Sequence, residues 1–172
     1  LLKKVDFFNW KNASSLKKAA VVQRYRLSSR ADYLHYQKIV GYIQKLIAVL
    51  EKQQEDTAFT TQLKAQLLDK LYRSGIIKNK SDFAEVKRVS VSSFVRRRLL
   101  VMLKTLKFVE TLKEAEVYLA HGHIRVGNEV IKDPDFFVTR DIEDHITWND
   151  ASKIKRNIQK FKNELDDFDL LD

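Results

Sequence analysis

The stretch that decides the fold is TLKEAEVYLAHGHIRVGNEV, residues 111–130. Its first half has a helical pattern that starts at Thr111 and Glu114, which have the spacing of a capping box. Gly122 then offers the left-handed conformation that ends a helix without strain. From Ile124 onward apolar and polar residues alternate until a Gly-Asn pair, which is typical of a strand and a tight turn. The stretch therefore predicts a helix followed by a β-hairpin.

Another helix is predicted just before this stretch. Apolar residues recur at helical spacing from Val95 to Leu106, and Arg97 and Lys104 lie on the opposite side of that helix. Two helical turns would separate these cations by roughly 10 Å, similar to near-neighbour phosphates. Residues 87–109 contain seven basic side chains and no acidic one. We therefore predict a phosphate-binding helix face, with an ordinary solvated face as the alternative.

Short strands are predicted after the hairpin, at 136–139 and 145–148, where β-branched and aromatic residues are frequent. Pro134 excludes a central strand at its own position. The predicted fold class is thus α+β: a helical N-terminal region, a module of two helices packed on a small twisted antiparallel sheet, a short C-terminal helix and an acidic tail. We predict three regions: the N-terminal helical region at 1–90, the module at 91–150, and the basic helix with the acidic tail at 151–172.

The N-terminal region is predicted to be helical because the chain has one proline and four glycines in 172 residues. Amphipathic patterns cover residues 33–50 and 63–71. Gly75 is expected to close the second pattern as a left-handed cap. Residues 76–91 are expected to be a connector.

The composition favours a polyanionic partner. Lys and Arg number 32 against 23 Asp and Glu, which gives a formal net charge of +9. No apolar stretch approaches the roughly 20 residues of a spanning helix, so we expect no membrane partner. The absence of cysteine excludes disulfides and thiolate metal sites. With no secretory signal pattern in view, we expect a reducing compartment.

The module resembles the S4 RNA-binding domain. The matching residues are Arg97, Arg98, Leu99, Phe108, Thr111, Glu114, Ala115, the run from His121 to Val126, and Val130. In that family the two helices and the following strand form a basic surface for structured RNA. The resemblance implies RNA contacts from Arg96, Arg97, Arg98, Lys104, Lys107, His121, His123 and Arg125.

The chain departs from the S4 pattern at three positions. Thr105 stands where the family often has arginine, Lys107 replaces a usual glycine, and Glu116 replaces a usual arginine. The second helix is therefore expected to contribute less to RNA contact. The family's Asn-Gly turn is also inverted, as Gly127 and Asn128.

Segments beyond these motif residues extend the resemblance over nearly the full length. Residues 2–7, 138–144, 153–157 and 166–169 are similar to the S4-domain subunits of the U3 small nucleolar ribonucleoprotein. This implies a nucleolar protein of the small-subunit processome that helps U3 RNA pair with pre-ribosomal RNA, beside an M-phase phosphoprotein scaffold and a Brix-domain partner. Four more cations in these segments are expected to contact RNA: Arg140, Lys153, Lys155 and Arg156.

Catalytic and metal-site interpretations are disfavoured. The histidines at 121, 123 and 145 lack a cysteine or a glutamate–histidine helix motif, so contacts with phosphate or a helix cap explain them better than a metal. A cluster of acidic residues lies beside basic segments without a nucleophile or phosphate loop, and is expected to be surface charge: Asp141, Glu143, Asp144 and Asp150. We expect no enzyme activity, cofactor or small-molecule substrate.

Four alternatives remain open. Tyr33, Tyr36 and Tyr42 could stack on unpaired bases, although core packing is favoured for the first two. The chain could be a protein interaction scaffold with incidental basic charge, or a ribosomal protein of the S4 family in the mature small subunit. The acidic residues after Glu164 could also fold back and compete with RNA.

Overall fold

The computed structural model describes residues 7–52, 58–80 and 83–162. The acidic tail and the opening residues 2–6 therefore lie outside the described part. The chain divides into two units, Leu1–Arg97 and Arg98–Asp172. This division falls after the fifth helix, whereas the sequence pattern placed it before that helix, at residue 90. Within the described ranges, every helix is too short or too polar to cross a lipid bilayer.

The described part of the first unit is helical, as predicted. Its helices are α1 (Phe7–Arg24), α2 (Arg30–Lys52), α3 (Ala58–Arg73), α4 (Phe83–Lys87) and α5 (Val91–Val95). Ser29 caps the start of α2, because its hydroxyl accepts the backbone N–H groups of Ala31 and Asp32 at 3.1 and 3.3 Å. The predicted apolar stripe of α2 is confirmed, with Val40 and Leu50 in the core.

Helix α3 ends as the sequence predicts. Gly75 has φ +72°, and the N–H of Ile76 reaches back to the carbonyl of Leu71 at 3.0 Å. These are the features of a Schellman cap. The expected connector after it contains α4 instead, whose Val86 has no exposed surface. A five-residue helix is too short for an apolar period to reveal it.

The second unit has the predicted α+β architecture. Helices α6 (Leu99–Thr105) and α7 (Leu112–Ala120) precede the strands β1 (Ile124–Val126) and β2 (Glu129–Val130), and α8 (Arg140–Glu143), β3 (Ile146–Trp148) and α9 (Lys153–Lys162) follow. The antiparallel sheet has the order β2-β1-β3. Its core joins both helices to β1 through Leu99, Leu103, Ala115, Leu119 and Ile124.

The hairpin is confirmed, and one of the two later strands is found. Gly127 has a positive φ of +60° at the first central turn position, the place of glycine in a type II′ turn. Strand β3 lies within the predicted 145–148 segment. The strand predicted at 136–139 is reduced to a single bridge between Phe137 and Arg98. A hydrogen bond from the Leu99 N–H to the Phe136 carbonyl, 2.8 Å long, forms part of this bridge.

The continuous helix predicted from Val95 to Leu106 is wrong. The chain leaves the helical conformation after α5, and Arg98 is extended, with φ −69° and ψ 142°. Arg98 is fully buried and forms an ion pair with Asp135, which holds this break in place. Arg97 and Lys104 therefore do not share a helix. The phosphate spacing inferred from one helix does not apply.

Candidate nucleic-acid interface

Helix α7 is fixed at its start by the predicted capping box. The Thr111 hydroxyl accepts the Glu114 N–H at 3.2 Å. The Glu114 carboxylate accepts the N–H groups of Glu110 and Thr111 at 3.3 and 3.4 Å. These bonds satisfy backbone donors that a helix start leaves open. They also fix the loop that carries Lys107 and Phe108.

Helix α7 is fixed at its other end by Gly122, whose φ is +73°. The His123 N–H returns to the Tyr118 carbonyl at 2.9 Å, which completes a Schellman cap. The His121 side chain is exposed at this end of the helix. Tyr118 and His123 are consequently held close together, with ring centroids 5.9 Å apart.

Lys107 closes α6 in the left-handed conformation, with φ +62°. The Phe108 N–H bonds to the Leu103 carbonyl at 2.9 Å, as expected after a left-handed residue at a helix end. A residue with a Cβ costs roughly 1–2 kcal/mol in this conformation. The lysine therefore occupies a position at which glycine would be less strained.

A groove opens between the end of α6 and the start of α7. Its volume is about 730 Å³. Cationic, aromatic and acidic side chains line it: Lys104, Lys107, Phe108, Val109, Glu110, Glu114 and Tyr118. Within the described part of the chain, neither lysine forms an ion pair. Both ammonium groups are therefore open to a phosphate.

A row of aromatic rings continues from this groove. Trp148 contacts Phe108 and Tyr118, with centroids 5.4 and 5.9 Å apart. His123 follows Tyr118, and His121 lies 5.8 Å further on. The sequence analysis did not single out Tyr118 or Trp148. Their proximity depends on the pairing of β3 with β1, which no local pattern reveals.

Arg125 and Lys155 meet at Asp150 on the other side of β1. Arg125 donates through Nε to the Thr147 hydroxyl at 3.0 Å, and its guanidinium forms an ion pair with Asp150. Lys155 forms a second ion pair with the same carboxylate. The hydrogen bond from Lys155 and the charge of Arg125 lower the pKa of Asp150. Asp150 therefore holds two predicted RNA-binding cations together.

His123 links the sheet to α9. Its Nδ1 lies 2.9 Å from the hydroxyl of the buried Ser152, which also accepts the Ile154 N–H at 3.2 Å. This arrangement makes Ser152 a cap for α9. Among the described residues, no group of three His, Asp or Glu side chains is placed to hold a metal ion.

The structure places the predicted RNA-binding residues in three settings. Arg96 and Arg97 belong to the first unit. Arg96 donates to the Tyr25 hydroxyl at 3.2 Å and lowers the pKa of that tyrosine, while the Arg97 guanidinium packs against Gly75. Arg98 is buried and forms an ion pair with Asp135, so its side chain is not available to contact RNA. The second unit carries Lys104, Lys107, His121, His123, Arg125, Arg140, Lys153, Lys155 and Arg156.

Comparison with known families agrees with this architecture. The model of the S4 domain matches residues 97–144, and the model of the ribosomal protein S4/S9 N-terminal domain matches residues 1–96. The two models meet where the structure divides the chain. The fold and the matches together define an S4-domain protein.

Relatives that match nearly the full length of the chain show to which family of S4-domain proteins it belongs. The U3 small nucleolar ribonucleoprotein protein IMP3 of Saccharomyces cerevisiae is 40% identical over 170 residues, which cover 98% of this chain and 93% of the relative. Its Homo sapiens counterpart is 41% identical over 171 residues, with 99% and 93% covered. The chain belongs to this IMP3 family within the S4-domain proteins. A Picrophilus torridus small ribosomal subunit protein uS4 is 30% identical over 86 residues, with 50% and 47% covered. None of these names is that of an enzyme.

Proposed function

We propose that the chain is a non-catalytic, RNA-binding subunit of the U3 small nucleolar ribonucleoprotein, acting in the biogenesis of the small ribosomal subunit. The names of relatives that match nearly the whole chain support this assignment. The archaeal ribosomal relatives match only about half of the chain. This favours a biogenesis role over the alternative of a ribosomal protein in the mature subunit.

The observation that carries the proposal is the lysine-lined groove of the second unit. Lys104 and Lys107 offer ammonium groups that no described acidic residue occupies, beside the rings of Phe108 and Tyr118. Lysines bind phosphate and aromatic rings stack on bases, which are the two contacts that structured RNA with unpaired bases requires. Lys153, an exposed cation on α9, adds positive charge to the same unit.

The finer proposal is that the chain promotes pairing of U3 RNA with pre-ribosomal RNA within the small-subunit processome, in the nucleolus. A protein that binds and orients one strand can speed pairing without any chemical step, because it reduces the orientational search. We propose that the phosphate contacts come from Lys104, Lys107, Arg125, Arg140, Lys153, Lys155 and Arg156, with His121 and His123 beside them. Arg96 and Arg97 are proposed as a separate contribution from the first unit.

The proposed protein partners are an M-phase phosphoprotein scaffold and a Brix-domain protein. Helix α2 of the first unit offers a surface for such a partner. Leu34, Tyr42 and Val49 recur at helical spacing on one face and are 43%, 68% and 56% exposed. Exposed apolar residues arranged along one face are typical of protein docking.

Crosslinking in cells tests the proposed function. The tagged chain is crosslinked to RNA, and the bound RNA is sequenced. We expect enrichment of U3 RNA and of pre-ribosomal segments that pair with it. The Lys104→Glu, Lys107→Glu double variant should lose this enrichment, while a Lys17→Glu, Lys70→Glu variant, which reverses two exposed charges of the first unit away from the α2 face, should keep it. Enrichment of mature small-subunit RNA alone would contradict the proposal and favour the ribosomal alternative.

A further inference from the structure

The groove between α6 and α7 is larger and chemically more mixed than a phosphate contact requires. The groove is open to solvent, and its volume of about 730 Å³ lies within the range of small-molecule clefts, roughly 300–1,000 Å³. Two lysines line it, and so do two glutamates, Glu110 and Glu114. A bare phosphate would meet as many carboxylates as ammonium groups. The lining therefore fits a ligand with more than one kind of polar group.

The aromatic part of the lining is placed for stacking. Tyr118 contacts Trp148 and His123 edge to face, and no ring in the described ranges lies parallel on it. Phe108 also contacts Trp148, at a tilt of 52°. A planar ligand in the groove can therefore stack against a ring that the packing holds rigidly from behind.

The acidic part of the lining has a matching role. The Glu114 carboxylate is used by the backbone N–H groups of Glu110 and Thr111, whereas Glu110 is exposed. Carboxylates accept hydrogen bonds from the amino groups on base edges. A nucleotide with an exposed base offers a phosphate for the lysines, a planar face for the ring and amino hydrogens for Glu110.

The backbone at Lys107 gives independent support. This residue keeps φ +62° at a helix end where glycine would avoid the strain. Strained residues that persist in a fold are frequent at ligand-binding sites. Despite this strain, the chain has a lysine and not a glycine at the edge of the groove.

We infer that the groove is a site for a single unpaired nucleotide of a structured RNA, with its base on Tyr118 and its phosphate at Lys104 and Lys107. This inference rests on the proposed RNA-binding function and deepens it. The groove would thus distinguish RNA with a bulged or flipped-out base from a fully paired helix, because a paired base cannot enter it.

Two RNA hairpins that differ by one bulged adenosine test the site, each closed by the same non-nucleotide linker so that neither has an unpaired loop base. The full chain is titrated with each hairpin at low salt, with fluorescence anisotropy as the readout. Stacking of one base predicts about 5- to 100-fold tighter binding of the bulged hairpin. Tyr118→Leu should bring the ratio of the two affinities close to one, while Tyr118→Phe should retain the preference. Tyr42→Leu, which removes a 68% exposed tyrosine of the first unit, should not alter the preference.

Tryptophan emission provides a readout that needs no change in the groove. The chain has two tryptophans, so Trp10→Phe leaves Trp148, which contacts both groove rings, as the only one. The bulged hairpin should change the Trp148 emission, and the unbulged hairpin should not. Equal effects and equal affinities for the two hairpins would overturn the nucleotide site while the proposed function stands. Absence of binding to either hairpin would overturn the proposed function and the site with it.

Discussion

Lys107 combines a strained backbone, with φ +62°, and a side chain that we propose contacts RNA phosphate. Lys107→Gly removes the Cβ from a left-handed position, so we expect the free energy of unfolding to rise by about 1 kcal/mol. The same change removes an ammonium group from the groove, so RNA affinity should fall. Urea unfolding and an RNA titration measure the two effects.

Lys107→Ala is the matched control for this prediction. Alanine removes the charge and keeps the Cβ, so RNA affinity should fall by a similar factor without the gain in stability. A glycine variant that is no more stable than the alanine variant would show that the left-handed conformation carries no cost at this position.

Asp150 restrains two cations that we propose as RNA contacts. Asp150→Asn removes the carboxylate charge that competes with phosphate for Arg125 and Lys155, so RNA affinity at low salt should rise by up to about fivefold. Because the pKa of Asp150 is lowered, its carboxylate stays ionised at neutral pH, and the gain should not change between about pH 6 and 8. An anisotropy titration over this range measures it.

The control for Asp150 is Asp144→Asn, which removes an exposed carboxylate of the same unit that pairs with neither cation. It should change RNA affinity less. Weaker binding by Asp150→Asn would show that the carboxylate positions Arg125 and Lys155 for RNA. The low pKa also has a consequence for stability: the ion pairs contribute above the ordinary carboxyl pKa, and this contribution is lost as the pH falls through the lowered value.

At the scale of elements, two glycines of the first unit should respond oppositely to alanine. Gly41 lies within α2, and a Cβ there would meet no atom within 4 Å. Gly41→Ala should therefore stabilise the chain by about 0.5–1 kcal/mol. Gly75 has φ +72°, and a Cβ there would lie 2.6 Å from Cζ of Arg97. Gly75→Ala should destabilise the chain by about 1–2 kcal/mol.

Thermal and urea unfolding of the two variants, compared with the unchanged chain, check this pair of predictions. Gly75→Ala should also displace the Arg97 guanidinium from its packing site. A neutral effect at Gly75 would mean that the end of α3 tolerates another conformation.

The elements show what local patterns could and could not predict. Capping boxes and left-handed glycines depend on residues within a few positions of each other, and so α7 and its ends were predicted correctly from Thr111 and Gly122. The break at Arg98 depends on Asp135, which is distant in sequence. The residues after it, Leu99–Leu103, are all buried, so their apolar run looked like the continuation of one helix.

In the candidate site, too, features set by neighbouring residues could be predicted and features set by contacts distant in sequence could not. The site's cations could be listed from charge and from resemblance, since basic residues are visible in the sequence. The burial of Arg98, the pairing of Arg125 with Asp150 and the contact of Tyr118 with Trp148 all arise from tertiary structure. The sequence therefore indicated the unit for which we propose RNA binding, and the structure shows which of its cations are exposed, paired or buried.

At the scale of the whole molecule, we propose different roles for the two units. The second unit carries most of the proposed RNA contacts, and the first carries an exposed apolar face on α2. The net charge of +9 attracts polyanions to the chain as a whole. General attraction of this kind predicts that any pair of exposed lysines contributes equally, whereas a specific surface predicts that only those at the groove do.

The salt dependence of RNA binding distinguishes these two cases most directly. Each phosphate contact contributes about 0.7–0.9 to the slope of log K against log salt, so Lys104→Gln with Lys107→Gln, which removes both cations from one proposed phosphate, should reduce the slope by about 0.7–0.9. Lys38→Gln with Lys45→Gln, on the exposed part of α2, should leave it unchanged. An unchanged slope in the groove variant, or an equal reduction in both variants, would contradict the claim that the second unit binds RNA through this groove.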